Sequence, residues 1–380
     1  MPTALICGGG TGGHVFPGIA VADALRDLAD LDVVFVGSPR GLETKHVPAH
    51  GYRLELLDVE PMKGGGAKRA MRGALVASKA TRDAIALVRR LRPDVVLGVG
   101  GYAAGPVCLA AAVMRKPLAL LEPNSVMGFT NRALSPLAKR VYVAWEETAR
   151  KVAARKVRVT GVPLRQGFGA RAVVSSSGPS RVLVLGGSQG AMAINERVPA
   201  AIARVVATAA DVVVVHQTGP ERDDAVRAAY RAGGVTGATV VPFVDDVARQ
   251  LAAADVVIAR AGAVTCAEIA AVGRASLLIP FPHAADDHQT RNAEALAAAG
   301  GAIVLPEAST DAARLAEVLT SLLTDGAKRE AMATCARRHG QPDAAIVVAE
   351  DLLDLGGIAK RPASARGNGS NRREANKEVS

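Results

Sequence analysis

Residues 8–14, GGGTGGH, set five glycines and a threonine before a histidine. They follow the apolar run Ala4–Cys7 and precede a helical stretch. Small residues in a strand-to-helix turn let backbone N–H groups and a helix N-terminus come close to a ligand, which suits an anion or a polar ring. His14 closes the turn, where it is either a general base or a histidine that only hydrogen-bonds backbone. A second turn, Gly186-Gly187-Ser188-Gln189-Gly190-Ala191, supplies a second helix N-terminus with a hydroxyl beside it. Either it cradles a diphosphate or it is a tight turn needed for helix-on-sheet packing. Residues 260–268, RAGAVTCAE, follow another strand-like run. Thr265 and Glu268 have the spacing of a capping box; alternatively Glu268 holds a ribose diol while the turn faces phosphates and Arg260 adds positive charge. Residues 280–292, PFPHAADDHQTRN, crowd hydrogen-bonding side chains of the kind that bind sugar hydroxyls. His283, Asp286, Asp287 and His288 lack zinc or di-metal spacing, and no metal is expected there.

Gly8-x-Gly10-x-x-Gly13 also matches the dinucleotide fingerprint. A dinucleotide site places an acidic residue at the end of the second strand, whereas Val33–Val36 here runs into Gly37-Ser38. A dehydrogenase is therefore not expected.

The elements that would position these residues are legible as alternation. Short apolar runs at Ala4–Cys7, Val33–Val36, Val95–Val99, Leu118–Leu121 and Val141–Val143 read as buried parallel strands, separated by helical stretches such as Gly18–Leu28 and Ala74–Leu91. The pattern restarts at Arg181, with strands at Val182–Leu185, Val212–His216, Thr239–Pro242, Val256–Ala259, Ser276–Ile279 and Ala302–Val304, and a helix over 191–207. Between the halves the chain turns to proline, glycine and a serine run, a linker at about 164–180. The expected organisation is an α/β protein with a first domain over 1–163 and a second over 164–357.

At 380 residues two ordinary cores are expected, built from Ala, Val, Leu and Ile, because hydrophobic residues make up 49% of the chain and aromatics only 3%. Cys7, Cys108, Cys266 and Cys335 form no CxxC pair, which fits a reducing compartment. No run reaches the roughly 20 apolar residues of a spanning helix, and the N-terminus has no signal-peptide pattern. Of the formal charge of +10, four units sit in the Gly-, Ser- and Asn-rich segment 358–380, read as a disordered basic tail. The remaining six suit an anionic substrate or an anionic membrane surface. With few aromatic platforms, nucleic acid is not an expected partner.

Taken together, GGGTGGHVFPGIAVADAL, PDVVLGVGGYAAGP, LEPN, GVPLR, LGGSQGA, HQTG, FVDD, RAGAVTCAEI and PFPHAADDHQTRNA resemble the MurG family, the transferases that add N-acetylglucosamine to lipid I. The resemblance spans residues 4 to about 350. It implies the GT-B fold, two Rossmann-like parallel-sheet domains facing across a cleft. The expected donor is UDP-N-acetylglucosamine, and the acceptor is lipid I, undecaprenyl-pyrophosphoryl-muramyl-pentapeptide. No cofactor is implied, and the enzyme would sit peripherally on the cytoplasmic face of the inner membrane. Carried over by motif, His14 is the base, with Thr11, Gly12 and Gly13 facing the acceptor region. Asn124 and Gln289 contact the donor sugar. Arg165 and Ser188 lie near the diphosphate, and Val244 makes a backbone contact to uracil. Ala263, Val264, Thr265, Cys266, Ala267 and Glu268 form the phosphate-facing turn and the ribose-holding carboxylate. The chain departs from the family at Leu121 and Pro123 of LEPN and at His288, which bears on sugar selectivity. The family's apolar membrane patch corresponds here to Met71, Leu75 and Val76 amid Lys68, Arg69, Arg72, Lys79 and Arg82. Another lipid or natural-product acceptor, or UDP-sugar epimerisation, is the alternative.

Overall fold

Runs such as Val95–Gly100 and Val256–Ala259 are buried along their whole length, as strands covered on both faces must be. The computed structural model describes residues 1–59, 67–169, 178–208 and 211–362, with no side chains for 67–78. These residues form two α/β units.

In the first unit the chain runs β1 (Thr3–Gly8), α1 (Gly12–Leu28), β2 (Asp32–Gly37), α2 (Glu43–Ala49), β3 (Arg53–Leu56), α3 (Ala67–Leu91), β4 (Val95–Gly100), α4 (Ala104–Val113), β5 (Leu118–Glu122), α5 (Phe129–Leu134), β6 (Arg140–Val143), α6 (Glu146–Ala149) and β7 (Val157–Val159). The sheet order is β3-β2-β1-β4-β5-β6-β7, and every pairing is parallel. Strand order reverses between β1 and β4. Open α/β sheets bind ligands beyond the carboxyl ends of the strands at such a switch point, where residues 8–14 and 100–102 meet.

The second unit runs β8 (Ser180–Leu185), α7 (Met192–Ala207), β9 (Val212–Gln217), α8 (Asp223–Ala232), β10 (Ala238–Val241), α9 (Val247–Ala253), β11 (Val256–Ala259), α10 (Ala263–Val272), β12 (Ala275–Leu278), α11 (His288–Ala298), β13 (Ile303–Val304), α12 (Ala312–Thr324) and α13 (Gly326–His339). Its parallel sheet has the order β10-β9-β8-β11-β12-β13. Its switch point lies between β8 and β11, which carry the turns at 186–191 and 260–263. The two parallel-sheet domains expected from the sequence are therefore present.

Their bounds differ from the expected ones. The helix α14 (Ala344–Gly356), which the sequence places in the second domain, packs on α1 of the first unit. Ala345, Val348, Ala349, Leu352 and Leu353 join the core formed by β1, β4 and α1. Asp351 binds Arg140 at 3.0 Å and accepts a hydrogen bond from the Tyr142 hydroxyl at 2.7 Å. Continuity along the chain is a poor guide here, because an apolar stripe packs on whatever surface it matches. The first unit comprises 1–123, 127–165 and the chain from Asp343 onward; Asn124–Val126 cluster with the second unit, 166–342. Residues 358–362, expected to open the tail, are placed against the first unit. Ile358 is buried in the first core, and the Arg361 backbone N–H and guanidinium donate to the carbonyls of Leu28 and Arg26 at the end of α1. Residues 363–380 lie outside the described residues, as do the side chains of Lys68, Arg69, Met71, Arg72, Leu75 and Val76.

α1 starts at Gly12, six residues before the expected Gly18, so His14 lies in its first turn. Pro17 hides this start: it lacks the N–H of a helix interior, yet the helix runs through it.

Candidate active site

At the first switch point, Gly8 has φ +140°, and a Cβ there would lie 2.2 Å from the carbonyl oxygen of Gly100. The turns after β1 and β4 thus meet backbone to backbone. The Gly10 N–H donates to Glu43 Oε2 at 2.7 Å. That is the second glycine of the dinucleotide-like string, the one whose backbone approaches a pyrophosphate in a nucleotide fold, and here it faces the chain's own carboxylate.

Thr11 is the N-cap of α1 in an extended conformation, but its hydroxyl does not cap the helix. It lies 3.3 Å from His14 Nδ1. Gly12 and Gly13 open the helix, and the His14 N–H donates to the Thr11 carbonyl. The half-buried His14 ring lays its Cδ2–Nε2 edge over Gly100, where any side chain would meet it at 3.0 Å. Nearby, the buried Glu122 of LEPN accepts hydrogen bonds from the Gly128 N–H and from Asn131 Nδ2, both at 2.9 Å. Arg165, expected near a diphosphate, stacks its guanidinium 4.9 Å over the Phe16 ring of α1. Phe16 in turn meets His46 edge-on at 5.0 Å. Partial burial, followed by the charges of Lys45, His50 and Arg165, moves the His46 pKa down.

At the second switch point the turn 186–191 leads into α7, whose N-cap, Ala191, has no capping side chain. Gly190 has φ +73°, and a Cβ there would lie 2.1 Å from the Thr218 carbonyl oxygen, so the turn rests on the backbone of HQTG. Ser188 and Gln189 are exposed at its tip. Gln217 ties two loops together: its Nε2 donates to the Gly187 carbonyl at 2.9 Å, and its Oε1 accepts the Val244 N–H at 3.0 Å. A ligand contact from the backbone of Val244 therefore falls to its carbonyl.

Behind the turn, His216 is fully buried between Tyr230 and Asn195 at 3.0 and 3.1 Å. Asn195 Nδ2 donates to the Thr218 carbonyl, so its Oδ1 accepts from His216 Nε2, and His216 Nδ1 accepts from the Tyr230 hydroxyl. Burial lowers the His216 pKa to about 3 and pushes that of the Tyr230 phenol up, which keeps both neutral.

The helix α10 is capped at Gly262 and by no side chain, so Thr265 lies inside the helix and the Thr265–Glu268 capping box does not form. Ala263, Cys266 and Glu268 are buried, while Val264, Thr265 and Ala267 are half-buried. Burial pushes the Cys266 thiol up to about 12, so any contact from Cys266 comes through its backbone. Arg260 does not add charge for a phosphate. Its Nη1 donates to the carbonyls of Ile279 and Pro280 at 3.0 and 3.1 Å, its Nη2 pairs with Glu307 at 2.5 Å, and the group stacks over Phe281. It braces the loop after β12.

That loop is strained, with φ of +52° at both Asp286 and Asp287, a region that non-glycine residues seldom occupy. It sets the start of α11, where Gln289 Oε1 accepts the Phe281 N–H at 3.0 Å. One turn on, Asn292 is fully buried. It accepts the Ser125 N–H at 2.9 Å and donates to Asn124 Oδ1 and the Ala261 carbonyl at 3.3 and 3.2 Å. Asn292 thus ties Asn124 and the residue before the N-cap of α10 to α11, the helix that carries Gln289 in its first turn. Asp287 binds Thr290, and His288 Nδ1 lies 2.6 Å from the Ala285 carbonyl. Among the described residues no His, Cys, Asp or Glu cluster could hold a metal ion.

Sequence reasoning missed Glu43, Gln217 and Asn292. Gln217 and Asn292 lay within quoted motifs without individual roles, and Glu43 had as its signal only the glycines at 37 and 41 that surround it.

Profiles of the glycosyltransferase family 28 N-terminal and C-terminal domains match residues 4–143 and 181–348. A curated UDP-N-acetylglucosamine–N-acetylmuramyl-(pentapeptide) pyrophosphoryl-undecaprenol N-acetylglucosamine transferase from Sorangium cellulosum is 52% identical over 93% of this chain and 89% of its own length. A protein of the same name from Anaeromyxobacter dehalogenans is 43% identical over 92% of each chain. The crystal structure of Acinetobacter baumannii MurG superposes with a TM-score of 0.78 at 31% identity, covering 93% of this chain and all of that one. The matched ranges include both switch points, and the chain belongs to the MurG family of family 28 glycosyltransferases.

Proposed function

We propose that the protein transfers N-acetylglucosamine from UDP-N-acetylglucosamine to the C4 hydroxyl of the muramyl sugar of lipid I, with inversion at the anomeric carbon. The observation that carries this reading is the 52% identity, over 93% of the chain, to a transferase of that name. The second unit takes the donor. The uncapped N-termini of α7 and α10 meet the charge of the diphosphate as the bond to the sugar breaks. These termini stand in for a metal ion in this reading, and turnover is expected to survive chelation. Glu268 accepts from the ribose, the Val244 carbonyl accepts from uracil N3–H, and Asn124 and Gln289 orient the sugar.

The first unit takes the acceptor. His14 removes the proton of the attacking hydroxyl through Nε2, with Nδ1–H donating to the Thr11 hydroxyl. An imidazole is suited to that work near neutral pH. Among the described residues no helix is long and apolar enough to cross a membrane. The lipid acceptor is met at the cytoplasmic face of the membrane, where the basic stretch that includes the exposed Lys79 and Arg82 favours anionic headgroups.

The test is incubation of UDP-N-acetylglucosamine labelled in the sugar with lipid I, followed by lipid extraction. Label is expected in the lipid fraction only when lipid I is present. Label that stays on the nucleotide, or returns as an epimerised UDP-sugar, would overturn the reading.

A further inference from the structure

We propose that Glu43 is a positioning residue for the base carried on the first turn of α1, an inference that rests on the reading of His14. Glu43 is 1% exposed, and both of its carboxylate oxygens accept hydrogen bonds. Oε2 takes the Gly10 N–H at 2.7 Å, and Oε1 takes the Ser38 N–H and hydroxyl at 2.8 and 3.0 Å. The chain around it is cut to the shape of this group. A Cβ at Gly9, Gly37 or Gly41 would fall within 2.4 Å of its side-chain atoms.

The hydrogen bond to Gly10 holds that residue at φ +91°, immediately before the N-cap Thr11, whose carbonyl accepts the His14 N–H and whose hydroxyl touches His14 Nδ1. The direction of the His14 ring is thus set by a short covalent path anchored at its far end on Glu43. An amide in place of the carboxylate can accept on one side only; on the other its NH2 would face an N–H. Glu43→Gln keeps the volume and gives up one side of the anchor. Gly10→Ala disturbs the same turn through its backbone, since φ +91° strains any other residue, and without a clash, since its Cβ meets nothing within 4 Å.

The experiment measures kcat and the Kd for UDP in Glu43→Gln and Gly10→Ala, each in the wild-type and the His14→Ala background, with thermal unfolding as the check on folding. In the wild-type background each variant is expected to lose about 10-fold or more in kcat while its UDP affinity stays within about two-fold. In the His14→Ala background the further loss is expected to shrink to within about two-fold, because groups that act as a unit are not additive. A folded Glu43→Gln with wild-type kcat, or an equal loss in both backgrounds, overturns the proposal and leaves Glu43 a purely structural group. Wild-type turnover in His14→Ala alone would be a separate result, which removes the reading of the base together with this inference.

Discussion

Gln217→Ala breaks the tie between the turn at 186–191 and the loop at Val244. Two hydrogen bonds are lost, of which that to the Gly187 carbonyl has a net value of about 1 kcal/mol. The larger effect is on the groups left behind. Val244 is 5% exposed, so its N–H loses its partner where water does not readily replace it, at a cost of about 1–3 kcal/mol. The second unit should lose about 2–4 kcal/mol of stability, seen as a lower melting temperature. If the bound nucleotide needs both loops in place, part of that loss appears in affinity, and UDP should bind about 10-fold more weakly, equivalent to about 1.4 kcal/mol. Gln217→Glu separates the two ends: its carboxylate still accepts from Val244 but sets an oxygen against the Gly187 carbonyl. Titration calorimetry with UDP at fixed ionic strength reads the effect. A folded Gln217→Ala protein that binds UDP within two-fold of wild type would refute the argument that these loops form the nucleotide site.

Two further outcomes are expected. Because burial lowers the His216 pKa to about 3 from an ordinary value of 6.5, the unfolded chain binds a proton that the folded one refuses. The contribution of His216 to stability is full above pH 6.5 and falls by about 1.4 kcal/mol per pH unit between 6.5 and 3. Urea unfolding at pH 7 and pH 4.5 should show a weaker pH dependence in His216→Gln than in wild type; equal slopes would mean that the ring is not held neutral. Glu268→Ala should weaken UDP binding by about 10- to 100-fold, as expected for loss of charge-assisted hydrogen bonds. The preference of the wild type for UDP over 2′,3′-dideoxy-UDP should vanish in this variant, and its survival would place the ribose elsewhere.

The central strands were legible because runs such as Val95–Val99 and Val182–Leu185 are apolar throughout, a pattern that only a strand buried on both faces requires. The edge strands β3 and β7 were not. Arg53–Leu56 and Val157–Val159 are short and largely exposed, and their mixed polarity reads as loop. The glycine turns were visible because backbone close to a ligand or to other backbone excludes side chains, a constraint written into single residues. Glu43, Gln217 and Asn292 act over separations of 33, 27 and 167 residues, and no local pattern reports such partners. Arg260 shows the reverse error. A cation beside an expected phosphate site reads as a ligand group until Glu307, far along the chain, is seen to hold it. The apolar stripe of α14 likewise declares that it packs, but not on which core.

The central claim divides the work between the units, with nucleotide binding in the second and proton removal by His14 in the first. Steady-state kinetics and UDP titration of His14→Ala test it most directly. The account predicts a fall in kcat of about 100- to 10,000-fold, in the range of general-base catalysis, with UDP affinity unchanged within about two-fold. Wild-type turnover, or a loss of UDP affinity that matches the loss of turnover, would contradict it.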